Sequence, residues 1–195
     1  MDKLLRYIQD AKADALLASV EAARDYARPL LAAVGREAEE REGVYHRPVE
    51  HAEAVAGRCY DLLPVNMLGS ADDQLRPVEA AVLAAAAWLH EVGLGEPGPE
   101  DTYNVRSARA VWDAETEQSR IAGLDPGLTT PVAKLCLAHR DHRKGGGEVV
   151  PTLRDLGTAY WQGHPIRVPL LAALFRLAYR LEVHQRRYPA DLGPN

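Results

Sequence analysis

The stretch Trp88-Leu89-His90-Glu91-Val92-Gly93 ends an alanine-rich apolar run with an adjacent histidine and carboxylate, followed by a glycine. Ionisable groups at the end of such a run are costly to bury without compensation, because water solvates them far better than hydrocarbon does. A metal ion, a cation or a substrate group would offset that cost, and a His–acid dyad at a helix end can turn both side chains toward one ion. Pro77 suits the first turn of the helix that carries Val82, Leu83, Ala86 and the dyad. Gly93 and Gly95 supply a C-terminal stop, and Pro97 and Pro99 keep the following loop irregular. The apolar run itself, Ala80 to Leu89, falls well short of a membrane span.

Helical spacing continues on both sides of the dyad. Upstream, Leu4, Leu5, Ile8, Ala11, Ala15, Leu16 and Val20 predict a first helix reaching Tyr26, broken or kinked at Pro29. A second segment, Leu30 to Arg41, ends near Gly43, and its charged run from Arg36 to Glu42 reads as a solvated face. Pro48 opens a helix carrying His51, Val55 and Cys59 before Pro64, and Asn66 to Arg76 reads as a loop. Downstream, a helix is expected from Asn104 to Ile121, stopped by Gly123 and Pro126. Another starts at Thr130-Pro131 with Val132, Leu135, Cys136 and His139 along one side. A short helix is expected from Leu153 to Trp161, and a last strong one from Pro165 through Phe175 and Leu181. Lys144-Gly145-Gly146-Gly147 lacks the Lys-Ser/Thr and the preceding strand of a phosphate-binding loop, and reads as a flexible connection. The expected fold class is all-α: a single bundle of six to eight helices, with residues 1–42 as an N-terminal helical extension to a domain at 43–195.

At 195 residues the chain suits one domain with a full core. The net charge of -5 comes from interspersed acids and bases, so no face marks a duplex nucleic-acid partner. Cys59 and Cys136 are too few for a disulfide framework and sit in apolar helical patterns, as reduced buried thiols do. Met1-Asp2-Lys3 leads straight into an amphipathic helix, so a soluble cytoplasmic protein with no membrane partner is expected.

The other histidines divide by context. His51 lies in an apolar stripe, where a satisfied core histidine is the more common reading than a ligand. His139 ends another stripe and is followed at once by Arg140-Asp141-His142-Arg143-Lys144. His46, His164 and His184 flank prolines or arginines and read as solvent-facing.

A histidine on one helix, a His–acid dyad ending a later one, then histidines and a final acid is an order similar to that of the HD-domain metal-dependent phosphohydrolase superfamily. The resemblance covers Tyr45 to Tyr188, and Asn104-Val105-Arg106-Ser107-Ala108, Leu137-Ala138-His139-Arg140 and Leu174 to Glu182 resemble later family helices. It implies His51, His90 and Glu91 as metal ligands, with His90, Glu91 and His139 in the catalytic group. Arg106, Arg140, His142, Arg143, Lys144 and Tyr179 would then contact a phosphorylated substrate. The cofactor it implies is one divalent ion, manganese, zinc, iron or magnesium, activating water for attack on phosphorus.

Three positions depart from the family pattern. Glu91 stands for the expected Asp, and its extra methylene lengthens reach by about one bond. Asn104 stands where two-metal members often have His. Tyr179 stands in place of the last aspartate, and a phenol with a pKa near 10 is a poor substitute for a carboxylate ligand. Glu182 is either a rescuing acid or a solvated partner of Arg186. Two functions follow: a metal-dependent phosphohydrolase acting on a nucleotide or other small phosphoester, or a catalytically degenerate module that binds a ligand or partner. A third is a subunit that assembles with itself or another protein through the N-terminal helix.

Overall fold

The computed structural model describes residues 2–42, 47–64, 66–69, 71, 73–98, 102–113, 118–139 and 152–187. Among these, seven α-helices carry the fold: α1 (Asp2–Asp10), α2 (Asp14–Glu42), α3 (Pro48–Asp61), α4 (Pro77–Leu89), α5 (Tyr103–Val111), α6 (Pro126–Ala138) and α7 (Val168–Arg187). Two short antiparallel ribbons accompany them, β1 (Trp112–Asp113) with β2 (Gln118–Ser119), and β3 (Ala159–Trp161) with β4 (His164–Ile166). The all-α expectation holds.

Every residue of α4 from Val78 to Leu89 is buried, so this helix is the axis of the bundle. A helix apolar all round has no face for water and must be wrapped. Its alanines keep it thin, and α1, α2, α3 and α6 pack around it. By length and composition Pro77–Gly95 could cross a membrane, but 89% of that window is buried inside the fold. The N-terminal helices belong to the same core: Leu4, Ile8, Leu16, Val20, Ala27 and Leu31 are all buried with α4. Cys59 and Cys136 are buried free thiols whose pKa burial pushes far up.

Several boundaries differ from the sequence expectation. The first helix does not run to Tyr26; it stops at Asp10, where Lys12 takes a left-handed φ of 54°. The amide of Ala13 donates to Ile8 O and closes the helix end, and α2 then starts at Asp14. Pro29 breaks nothing and lies inside α2, since one missing hydrogen bond is outweighed by the buried stripe on either side of it. Pro131 likewise sits inside α6, which begins at Pro126 because the Asp125 carboxylate caps the Gly127 amide. The helix expected to reach Ile121 ends at Val111, where Trp112 turns extended and pairs with Ser119. Leu153–Trp161 is not a helix: a 3-10 turn, Leu153–Leu156, ends at Gly157 with φ 65°, and β3 follows. Arg36, Glu37 and Glu40 are exposed, as a solvated face requires.

One buried ion pair fastens the start of α4 to the start of α7. Glu79 is fully buried, and its Oε1 accepts from the amide and Nε of Arg167 at 3.0 and 2.9 Å. Its Oε2 accepts from Arg167 Nη2 at 2.6 Å and from the Arg76 amide at 3.1 Å. Burial pushes the carboxyl pKa up, but these bonds, led by those from Arg167, outweigh it and hold the group below its ordinary value. Because the folded value is depressed, the stabilisation is full above the unfolded pKa near 4.3 and disappears as pH falls through the folded one. Glu79→Gln should cost about 3 kcal/mol at neutral pH. Urea melts of both proteins should converge as pH falls below about 4.

Candidate metal centre

His51 points inward from α3 and is 3% exposed. His90 caps the C-terminus of α4 and is 0% exposed, and Glu91, at 6%, is the next residue. The three side chains are the group among the described residues whose donor atoms all lie within 4.8 Å of one another. His90 Nδ1 lies 2.9 Å from Ala87 O, and a carbonyl only accepts, so Nδ1 carries the proton. Burial pushes the His90 pKa down to about 4, against the opposing pull of its backbone bonds. The imidazole is therefore neutral at pH 7 and its Nε2 lone pair is available.

That Nε2 lies 3.4 Å from His51 Nε2 and 3.9 Å from Glu91 Oε1, and His51 Nε2 lies 3.6 Å from the same oxygen. A triangle with these sides has a circumradius of about 2.1 Å, which is the bond length of a divalent ion to imidazole nitrogen or carboxylate oxygen. Two imidazoles and one carboxylate are a donor set suited to zinc, iron(II) or manganese. The residues present fit a metal ion.

A wall of rings stands over this triangle. The Tyr179 ring on α7 lies 5.6 Å from those of His51 and His90 and 4.9 Å from that of His139. His139 caps the C-terminus of α6 with the same φ, ψ of -67° and -20° that His90 has on α4. The local device is also the same, with His139 Nδ1 2.6 Å from Cys136 O, three residues back. Its Nε2 meets Tyr103 Oη at 3.1 Å, and that oxygen meets Tyr179 Oη at 3.1 Å. Were His139 neutral with its proton on Nδ1, Tyr103 would donate to Nε2. The three groups form one hydrogen-bonded chain, Tyr179–Tyr103–His139.

A family model described as HD-CE matches residues 24–192. The chain belongs to the HD-CE family. HD-CE is an HD-domain-like family, so the resemblance read from the order of histidines and acids holds. The match begins inside α2. No curated protein and no solved structure matches the chain.

In this HD-CE chain the fold gathers His51, His90 and Glu91 and sets His139 and Tyr179 beside them. Other site candidates hold the frame. Asn104 is fully buried and its Nδ2 donates to Leu137 O at 2.7 Å, tying α5 to the last turn of α6. Arg106 Nε donates to Gly93 O at 2.8 Å and its Nη1 to Thr102 Oγ1 at 2.9 Å, so its guanidinium grips the loop behind the dyad. Glu182 is 8% exposed, which removes the solvated reading for it, and the side chain of Arg186 lies outside the described residues. Arg140, His142, Arg143, Lys144, His46 and the glycines 145–147 lie outside them too, as does the side chain of His184.

Two residues that the sequence reading passed over complete the site. Tyr103, 4% exposed, joins His139 to Tyr179; its only sequence signal is that it opens the helix after the dyad. Arg176 clamps Ala138 O with Nε and Nη2 at 2.9 and 2.7 Å and so fixes the helix end that carries His139. Gly93 matters through contact rather than through turn geometry. Its amide donates to Ser107 Oγ at 2.9 Å, and a Cβ there would meet Tyr103 O at 2.3 Å and Ser107 N at 2.5 Å. Gly93→Ala should therefore push α5 off the dyad and cost about 2 kcal/mol in urea melts. The same substitution should weaken zinc binding in calorimetric titration, because Tyr103 and the dyad share that contact.

Proposed function

We propose that the protein is a metal-dependent phosphohydrolase acting on a nucleotide or other small phosphoester. The observation that carries this reading is the buried triangle of His51 Nε2, His90 Nε2 and Glu91 Oε1, whose sides suit one divalent ion. When bound, such an ion polarises a phosphoryl oxygen and lowers the pKa of its water toward 7. Around it the chain's own groups do the positioning. His90 is locked in one tautomer by Ala87 O, so its lone pair needs no reorganisation. With Tyr179 in the place of an acid, the group that could hold the ion contains one carboxylate, Glu91, a less anionic surrounding for an anionic ester. The basic run Arg140, His142, Arg143 and Lys144 directly follows His139 in sequence and supplies the cations that phosphate oxygens require.

A second reading, a ligand-binding module without chemistry, is favoured by Tyr179, whose hydroxyl is engaged with Tyr103 and brings no charge to a metal. The two readings part on one experiment. Purified protein is assayed for metal content and for hydrolysis of p-nitrophenyl phosphate, its bis ester and a set of nucleoside phosphates. Phosphohydrolase function expects near-stoichiometric divalent metal and turnover that His90→Ala reduces by about 100-fold or more. A protein that binds no metal, or hydrolysis that survives His90→Ala, would remove the first reading.

Tyr179→Asp gives an additional expectation. A carboxylate at that position should raise affinity for manganese by about tenfold or more, measured by calorimetric titration, since it adds an anionic donor to three existing ones. Saturation with the metal should also raise the melting temperature of the wild-type protein, about 2.7 kcal/mol of stabilisation being expected at 100 times the dissociation constant. His51→Ala should abolish that rise.

A further inference from the structure

A cavity of about 430 Å³ lies at the other end of α4, and none of the metal chemistry uses it. That volume falls in the range of small-molecule sites. Leu16, Pro77 and Val78 make its apolar floor, Trp161 is an aromatic wall, and Arg76 and His164 are its cationic and hydrogen-bonding groups. Arg76 and His90 cap opposite ends of a 13-residue helix, so this site is about 20 Å from the dyad.

The walls are held in place by contacts of the fold itself. Trp161 and His164 are directly paired across the β3–β4 ribbon, and so share one face of it. The two residues between them, Gln162 and Gly163, have φ of 48° and 81°, a two-residue hairpin turn that matches the strand twist. Trp161 also rests against α6: a Cβ on Gly127 would come within 2.9 Å of its Cδ1. The ribbon is then tied down by Arg167 to Glu79 and Gln74, and Arg76 Nη1 reaches Pro165 O at 3.5 Å. The Arg167–Glu79 ion pair thus fixes the ribbon whose Trp161 and His164 line the cavity together with Arg76.

We propose that this cavity is a second binding site, for a small planar apolar molecule carrying one anionic group, a carboxylate or a phosphate. The ring would stack on Trp161 over the Leu16–Val78 floor, with the anion on Arg76 and His164. The Arg76 guanidinium has five donors, and its Nη1 reaches Pro165 O.

The test is a titration of 15N-labelled full-length protein with 2-naphthoate, its neutral isostere 2-naphthamide, and 2-naphthyl phosphate. The Trp161 indole N–H resonance is assigned from its loss in Trp161→Phe. Saturable movement of that resonance is expected with either anion, the tighter one naming the charged group preferred. The amide should bind about tenfold more weakly, as should the carboxylate to Arg76→Gln. If Arg76→Gln does not fold, His164→Ala on the exposed ribbon serves, with an expected weakening of several fold. An unmoved Trp161 resonance at millimolar 2-naphthoate, or equal affinity for acid and amide, would overturn the proposal. So would movement confined to Trp88, Trp112 or the histidine cluster. His90→Ala should leave the titration unchanged, which separates this outcome from failure of the metal site.

Discussion

The constraint on which the structure depends is the burial of ionisable groups at the end of a helix that no water reaches. α4 is buried from Val78 to Leu89, and the residues that follow, His90 and Glu91, are buried with it. His90 answers this by staying neutral: burial lowers its pKa to about 4, and its one proton is donated to Ala87 O. Glu91 is a second desolvated ionisable group beside it, 6% exposed. A cation shared by His51, His90 and Glu91 would offset that desolvation, and the spacing of their donor atoms suits one ion. Burial, tautomer and spacing are three aspects of one electrostatic requirement.

The same helix organises the other end of the molecule by the same means. There the buried charge is Glu79, and its counter-charge is the guanidinium of Arg167 instead of a metal. Each end of α4 thus holds a desolvated carboxylate, and each brings a distant part of the chain to it. At the C-terminal end these are α3, α6 and α7, through His51, His139 and Tyr179. At the N-terminal end it is the β3–β4 ribbon, carried by the residue that follows it. The N-terminal helices complete the wrap with Leu4, Ile8, Leu16 and Val20.

Much of the site was legible in the sequence because chemistry and position coincided there. A histidine next to an acid, after an alanine run and before a glycine, marks a buried helix end, and His51 and His139 lie on helices of their own. Tyr103 was not legible, because its role exists only once α5 lies against α6 and α7 and sets its hydroxyl between two others. For Arg106 the family resemblance and the guanidinium fork imply a phosphate contact, and packing shows its Nε on Gly93 O. The proline errors share a cause. Pro29 and Pro131 each cost a local bond, and a local reading cannot weigh that against a buried stripe formed with distant helices. The β3–β4 ribbon was missed because Ala159–Trp161 has no alternation over so few residues, while its turn, Gln162-Gly163, is not among the commonest pairs.

Anomalous scattering tests the central claim most directly. Crystals of the purified protein, measured at the zinc, iron and manganese absorption edges, should show one anomalous peak about 2.0–2.2 Å from His51 Nε2, His90 Nε2 and a Glu91 carboxylate oxygen. The same volume left without a peak after soaking in each of the three metals, with the two histidines hydrogen-bonded to each other, would contradict it.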